Sequence, residues 1–215
     1  FHGMKLMIDD ILVVGAGGHA RVIISLINQS KRYNLVGIAD RDDEFIGEKI
    51  NNEEIKYSWD DFLKLYNHGL RKVAIAIGNN KERKKIYKKL NSIGFSVETM
   101  IDSSAIIDKS VTIQNGVCVC LGVKIGANAL IKKNSIIYTG SIIDHETILG
   151  EHSFIAPGVS VAGRVNIGDN CFVGIGSTII DKITIEDNAI IGAGSVVLED
   201  VKSNTTVVGI PAKPI

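Results

Sequence analysis

The chain of 215 residues lacks net charge: 24 Lys and Arg balance 24 Asp and Glu. No global field therefore draws it to nucleic acid or an anionic membrane, and any anionic ligand must be caught by local groups. Cysteine is scarce as well. Cys118, Cys120 and Cys171 are an odd set without C-x-x-C spacing or a neighbouring histidine cluster, which argues against a disulfide framework or a structural zinc. They read as reduced thiols packed as small apolar residues. Long apolar runs are missing too: Ile11 to Val14 and Val73 to Ile77 have strand length, well short of the ~18 residues of a membrane span. No signal peptide is visible, and the expected location is the cytoplasm. Phe1, His2 and Gly3 precede Met4 and read as the remnant of an expression tag.

The chain does have a repeat. From Ile101 an aliphatic residue recurs at every sixth position through Ile107, Ile113, Val119, Ile125 and onward to Ile191 and Val197. Four residues after each comes a small or β-branched residue, as at Ala105, Val111, Val117, Ser141 and Cys171. An amphipathic helix would need spacing near 3.6 and an ordinary strand spacing of 2. A period of six held over about a hundred residues is the mark of a β-solenoid. Gly and Asn recur between the aliphatic positions, as in Ile125-Gly126-Ala127-Asn128, and supply corner residues for unusual φ. The hexapeptide pattern resembles that of left-handed β-helix acyltransferases, which implies a single-stranded, left-handed parallel β-helix over residues 101–215, tail included.

Residues 4–100 follow another rule. Strands are expected at Ile11 to Val14, Leu35 to Ala39 and Val73 to Ile77, and helices at His19 to Gln29, Trp59 to Tyr66 (capped by Ser58) and Lys81 to Ile93. Their alternation reads as a small parallel α/β, Rossmann-like domain. In the last helix Ile86, Leu90 and Ile93 form an apolar stripe, so its many bases, Arg83 among them, read as mostly solvated. After the first strand comes Gly15-Ala16-Gly17-Gly18-His19-Ala20. A glycine turn feeding a helix N-terminus lets backbone N–H groups approach a pyrophosphate, and Asp40, ending the next strand, is placed for a ribose hydroxyl. The same turn is also compatible with nothing more than a tight strand-to-helix connection, and His19 with either a phosphate donor or a surface histidine.

A Gly-rich nucleotide fold, then a hexapeptide solenoid, then Gly209-Ile210-Pro211-Ala212-Lys213 resembles the family of nucleotide-sugar N-acetyltransferases and sialic acid O-acetyltransferases. The resemblance spans nearly the whole chain. Gly15 to His19, Ile77-Gly78-Asn79-Asn80-Lys81 and Ile143-Asp144-His145-Glu146 stand where that family keeps its sugar-nucleotide loops and its catalytic histidine. The Gly-Asn-Asn-Lys stretch leans toward the bacillosamine-pathway branch, which acetylates a UDP-linked 4-amino-4,6-dideoxy sugar; a dTDP-linked sugar is the other possibility. Two positions depart from the family pattern. Phe154 replaces a second histidine that many members carry, with His152 two places earlier, and Tyr138 stands where many have Asn.

The resemblance implies roles for these residues. His145 is the expected general base, since imidazole titrates near neutrality and an amine must be neutral to attack a thioester. Glu146, or else Asp144, would orient its ring. Gly15, Gly17, Gly18, His19, Asp40, Gly78, Asn79 and Tyr138 are the substrate candidates; Gly163, Ile175, Ala193 and Lys213 are those for acetyl-CoA, the cosubstrate, with no metal required. His145 falls on a corner that carries Ala127 one coil earlier and Gly163 one coil later. A second prism packed there would close a slot for pantetheine, so a homotrimer with sites between subunits is expected, without nucleic acid or membrane insertion. Sialic acid O-acetylation and a noncatalytic nucleotide-sugar-binding trimer remain as alternatives.

Overall fold

A computed structural model describes residues 8–215, so the seven residues from Phe1 to Met7, with the expected tag remnant among them, lie outside the described ones. The described chain forms two compact units: residues up to 77 together with 86–98, and residues 78–85 together with 99–215.

The first unit follows the order β1 (Asp9–Val14), α1 (Gly18–Ser30), β2 (Tyr33–Asp40), β3 (Lys49–Ile50), β4 (Glu53–Ser58), α2 (Phe62–Asn67), β5 (Lys72–Ile75), α3 (Asn80–Ile93) and β6 (Ser96–Val97). The sheet runs β3-β4-β2-β1-β5-β6, parallel except for the β3–β4 hairpin. Ile11 to Val14 are fully buried, as a central parallel strand with both faces covered must be. The hairpin was not expected; Asn51 and Asn52, both at positive φ, are the residues that let two strands turn so tightly. The expected helix from Trp59 starts instead as a 3₁₀ turn, Trp59–Asp61, with Ser58 and Asp61 forming a capping box, before α2 begins at Phe62.

The second unit is the expected left-handed parallel β-helix. Two-residue strands stack in register 18 residues apart, as in Cys118–Ile136–Phe154–Phe172–Ile190. Three sheets form the sides of the prism. Aliphatic residues from Val117 to Val207 fill its core. At the first coil Ile101 is exposed and Ile107 and Ile113 are only half-buried, because strands there pair with a neighbour on one side alone.

From Gly116 to Gly194 every sixth residue has positive φ, and most are Gly or Asn. Glu146, His152, Arg164 and Lys182 are the exceptions. The left-handed region costs such L-residues roughly 1–2 kcal/mol each.

The reading of Arg83 as solvated is corrected. Its side chain is 1% exposed, with Nε donating to the Asn134 carbonyl (3.0 Å), Nη1 to the Gly78 carbonyl (2.8 Å), and Nη2 to Asn80 Oδ1 (2.8 Å) and the His152 carbonyl (2.6 Å). Position 83 lies three residues before Ile86, on the line of the apolar stripe, so the helix turns it inward. Burial brings its pKa down to about 9. Lys85, Lys88 and Lys89 are exposed as expected. Arg83→Met, which strands several buried acceptors, is expected to lower the unfolding free energy by about 3 kcal/mol in urea titration. Lys88→Met is expected to stay within about 0.5 kcal/mol.

Candidate functional site

His145 sits on the corner that follows Ile142–Ile143, its side chain about half exposed. The corner is held by stacking: Glu146 N donates to the Ala127 carbonyl below and Arg164 N to the His145 carbonyl above. Asp144 Oδ1 accepts from the His145 backbone N–H at 2.7 Å, so this carboxylate is committed to the main chain. Glu146 reaches the ring instead, with Oε2 3.1 Å from Nδ1. Arg164 Nε and then the ring lower the Glu146 pKa by hydrogen bonding, so this group is a carboxylate at neutral pH. A carboxylate only accepts, so Nδ1 carries a proton, and in the neutral ring the lone pair is on Nε2.

Gly163 makes room for that ring. A Cβ at this position would fall 2.5 Å from Nε2 and 2.6 Å from Cε1. The imidazole thus occupies the volume that a side chain at 163 would take, packed on Gly163 and still about half exposed.

The coenzyme candidates lie on another edge of the prism. Ile175 and Ala193 are exposed and one coil apart on the corner after Phe172–Val173, separated from the His145 corner by the side that holds Thr178–Ile179. Tyr138 opens the same edge two coils earlier. It is half-buried, its hydroxyl pushed up to about 12 by burial, and it stacks on Phe154, which stacks on Phe172 (5.3 Å between centroids in each case). Lys213 is exposed in the tail strand, 3.5 Å from Glu199. One chain does not bring these residues to His145.

Gly78 and Asn79 line a groove of about 780 Å³ on the solenoid side, with Phe154, Phe172, Asn170 and Asn188. Asn79 Oδ1 caps α3 by accepting from Glu82 N (3.1 Å), and Asn80 Nδ2 donates to the Cys171 carbonyl (2.9 Å).

In the first unit, Gly17 and Asp40 border a separate cavity of about 440 Å³ with Ala16 and Arg21. Asp40 Oδ2 accepts from Ala16 N at 2.6 Å, closing the turn. Gly15 has φ +108°, and a Cβ there would meet the Ala76 carbonyl oxygen at 3.0 Å, whereas Gly17 and Gly18 face open space. His19 is buried in the first turn of α1, which removes the surface-histidine alternative.

His152 is also buried. Its Nδ1 accepts from Asn134 Nδ2 at 2.7 Å, and burial, with the Lys84 charge second, pulls its pKa down to about 4. It is a neutral structural residue. Sequence reasoning missed Arg164, whose signal was a charged residue at a corner that otherwise takes Gly or Asn, and the Phe154–Phe172 stack, which becomes visible only once the coils are aligned at 18 residues.

A corner histidine on a hexapeptide solenoid defines the class, a hexapeptide-repeat acyltransferase. Residues 10–90 match the PglD N-terminal domain, and residues 164–199 match the bacterial transferase hexapeptide (six repeats). PerB from Caulobacter crescentus, solved with CoA and GDP-perosamine, is 32% identical with a TM-score of 0.91, over 97% of this chain and 98% of that one. The acetyltransferase domain of PglB from Neisseria gonorrhoeae, in complex with acetyl coenzyme A, is 27% identical (TM-score 0.88, 96% and 98% covered). WeeI from Acinetobacter baumannii is 26% identical (TM-score 0.85, 95% and 99% covered). The chain belongs to the nucleotide-sugar N-acetyltransferase family of acyltransferases. Among the described residues no cluster of metal-ligating side chains occurs and no helix is long and apolar enough to cross a membrane.

The neutral state of His152 has a consequence for stability. The unfolded chain binds a proton at this histidine below about pH 6.5, the folded chain only near 4, so stability present above 6.5 is lost as pH falls through this window. The loss is expected to be about 2–3 kcal/mol. His152→Asn, which tolerates positive φ, is expected to flatten this part of a stability-versus-pH series from urea midpoints.

Proposed function

We propose that this protein transfers the acetyl group of acetyl-CoA to the 4-amino group of a 4-amino-4,6-dideoxy sugar linked to a nucleoside diphosphate. The observation that carries the reading is the His145 corner: a half-exposed ring held at Nδ1 by Glu146 and packed on Gly163. The UDP-linked sugar follows from the Gly78-Asn79-Asn80-Lys81 resemblance. The GDP-perosamine bound by the Caulobacter relative makes a GDP-linked sugar the first alternative, with dTDP the next.

Nε2 of His145 takes a proton from the sugar amine as the nitrogen attacks the thioester carbon. The tetrahedral oxyanion is met by a backbone N–H, for which Gly163 is the candidate. Collapse expels the CoA thiolate, and the imidazolium returns the proton to it. The reading has no acyl-enzyme: among the described residues no serine or cysteine sits in an activating motif, and the three cysteines are buried.

Gly15, Gly17, Gly18 and Asp40 would hold the nucleotide, His19 only through its main chain because its side chain is buried, and Gly78, Asn79 and Tyr138 would flank the sugar. Ile175 and Ala193 would line the pantetheine slot, with Lys213 near a coenzyme phosphate. Since those residues occupy a different prism edge from His145, the reading requires an edge from a second copy. A homotrimer, acting in the cytoplasm in polysaccharide biosynthesis, completes it.

Thiol release from acetyl-CoA with UDP-, GDP- and dTDP-linked 4-amino-4,6-dideoxy sugars, and with free sialic acid, tests this. Turnover with one aminosugar nucleotide is expected, falling about 10²-fold or more in His145→Ala while sedimentation still shows a trimer. Gly163→Ala, which crowds the ring, is expected to lose turnover as well. Activity unchanged in His145→Ala, or a monomer that is fully active, overturns the reading.

A further inference from the structure

Glu146 Oε2 is shared. It lies 3.1 Å from His145 Nδ1 and 2.8 Å from Arg164 Nε, so a single oxygen joins the imidazole to a guanidinium one coil above. Glu146 and Arg164 stand 18 residues apart at corner positions that require positive φ (56° and 60°). Most other positions in that series carry Gly or Asn. Two strained residues stacked on each other and converging on one histidine point to a retained local purpose, since such strain persists where the surrounding structure holds it for a task.

The rest of the corner leaves Arg164 as the residue that aims this carboxylate. Asp144 is engaged with its own main chain. Lys182, one coil beyond Arg164, pairs with Asp181 at 3.5 Å. The hydrogen bond from Arg164 is the largest influence lowering the Glu146 pKa, which keeps the carboxylate acceptor-only. An exposed glutamate next to an exposed histidine would otherwise sample many rotamers, because a surface pair gains little net energy. Arg164, 56% exposed itself, adds a second directed hydrogen bond to the same oxygen and narrows that freedom.

We propose that Arg164 is a positioning residue for the reaction: by pinning Glu146 Oε2 against His145 Nδ1 it fixes the Nδ1–H tautomer, so that the neutral ring carries its lone pair on Nε2. This rests on the reading of His145 as the base, and its test separates the two.

The imidazole ¹⁵N resonances of His145, assigned by loss in His145→Asn, are recorded near pH 9, where histidines are neutral. The wild type is expected to show mainly the Nδ1–H tautomer. Arg164→Asn, which accepts the corner φ but cannot reach Glu146, is expected to raise the Nε2–H share about twofold or more, with an unchanged or higher Tm. The same variant is expected to lower kcat about 3- to 10-fold at unchanged KM for acetyl-CoA, and Arg164→Lys to restore part of it. A tautomer ratio in Arg164→Asn equal to that of the wild type overturns the proposal. A shifted ratio with undiminished kcat upholds the positioning role and shows instead that His145 is not the base.

Discussion

A coil of this solenoid hides its aliphatic residues only beneath the next coil, and the rest of the second unit follows from that constraint. Residue n must lie over residue n+18, so strands two residues long pair without slipping: a register error would bring every inward residue to the surface. Six residues per side then force one corner residue in each set into the left-handed region, where Gly and Asn meet the demand at least cost. The small residues are part of the same requirement. A Cβ at Gly150 would collide with the carbonyl of Gly168 directly above it, and one at Gly168 would meet the Asp187 backbone N at 2.7 Å.

The candidate chemistry uses the places where this pattern is relaxed. At the His145 corner the left-handed position goes to Glu146 and, one coil on, to Arg164, while the position above the imidazole goes to Gly163. Charge is thus introduced where glycine is favoured, and glycine where a side chain would fit the period. The stability lost at such corners is small against the core of stacked Ile, Val and Leu, which is how a rigid scaffold can hold a candidate base in place without a loop.

Arg83 shows another consequence of a scaffold made of coils. Corners turn their carbonyls outward, and at Asn134 and His152 these stack into acceptors that one guanidinium bridges, tying the Gly78–Asn80 segment to two successive coils. An ammonium, a single point charge, would not span these acceptors in the same plane.

Much of this was legible in the sequence. The period of six named the inward residues, the corners and the coil-to-coil neighbours of His145, because in a solenoid sequence distance converts directly into height. The α/β order also followed from apolar runs and glycine turns. The sequence did not decide which carboxylate serves the ring: Asp144 and Glu146 both adjoin His145, and only the corner dihedrals commit one to the backbone N–H and the other to Nδ1. Nor did it decide the burial of Arg83 or His152, since a long polar side chain reads as solvated until three-dimensional packing brings carbonyls around it. Residue type and spacing determined the solenoid, and the family resemblance pointed to its candidate base; the tertiary structure decided which polar groups meet, because hydrogen bonding depends on angles and distances that no one-dimensional period specifies.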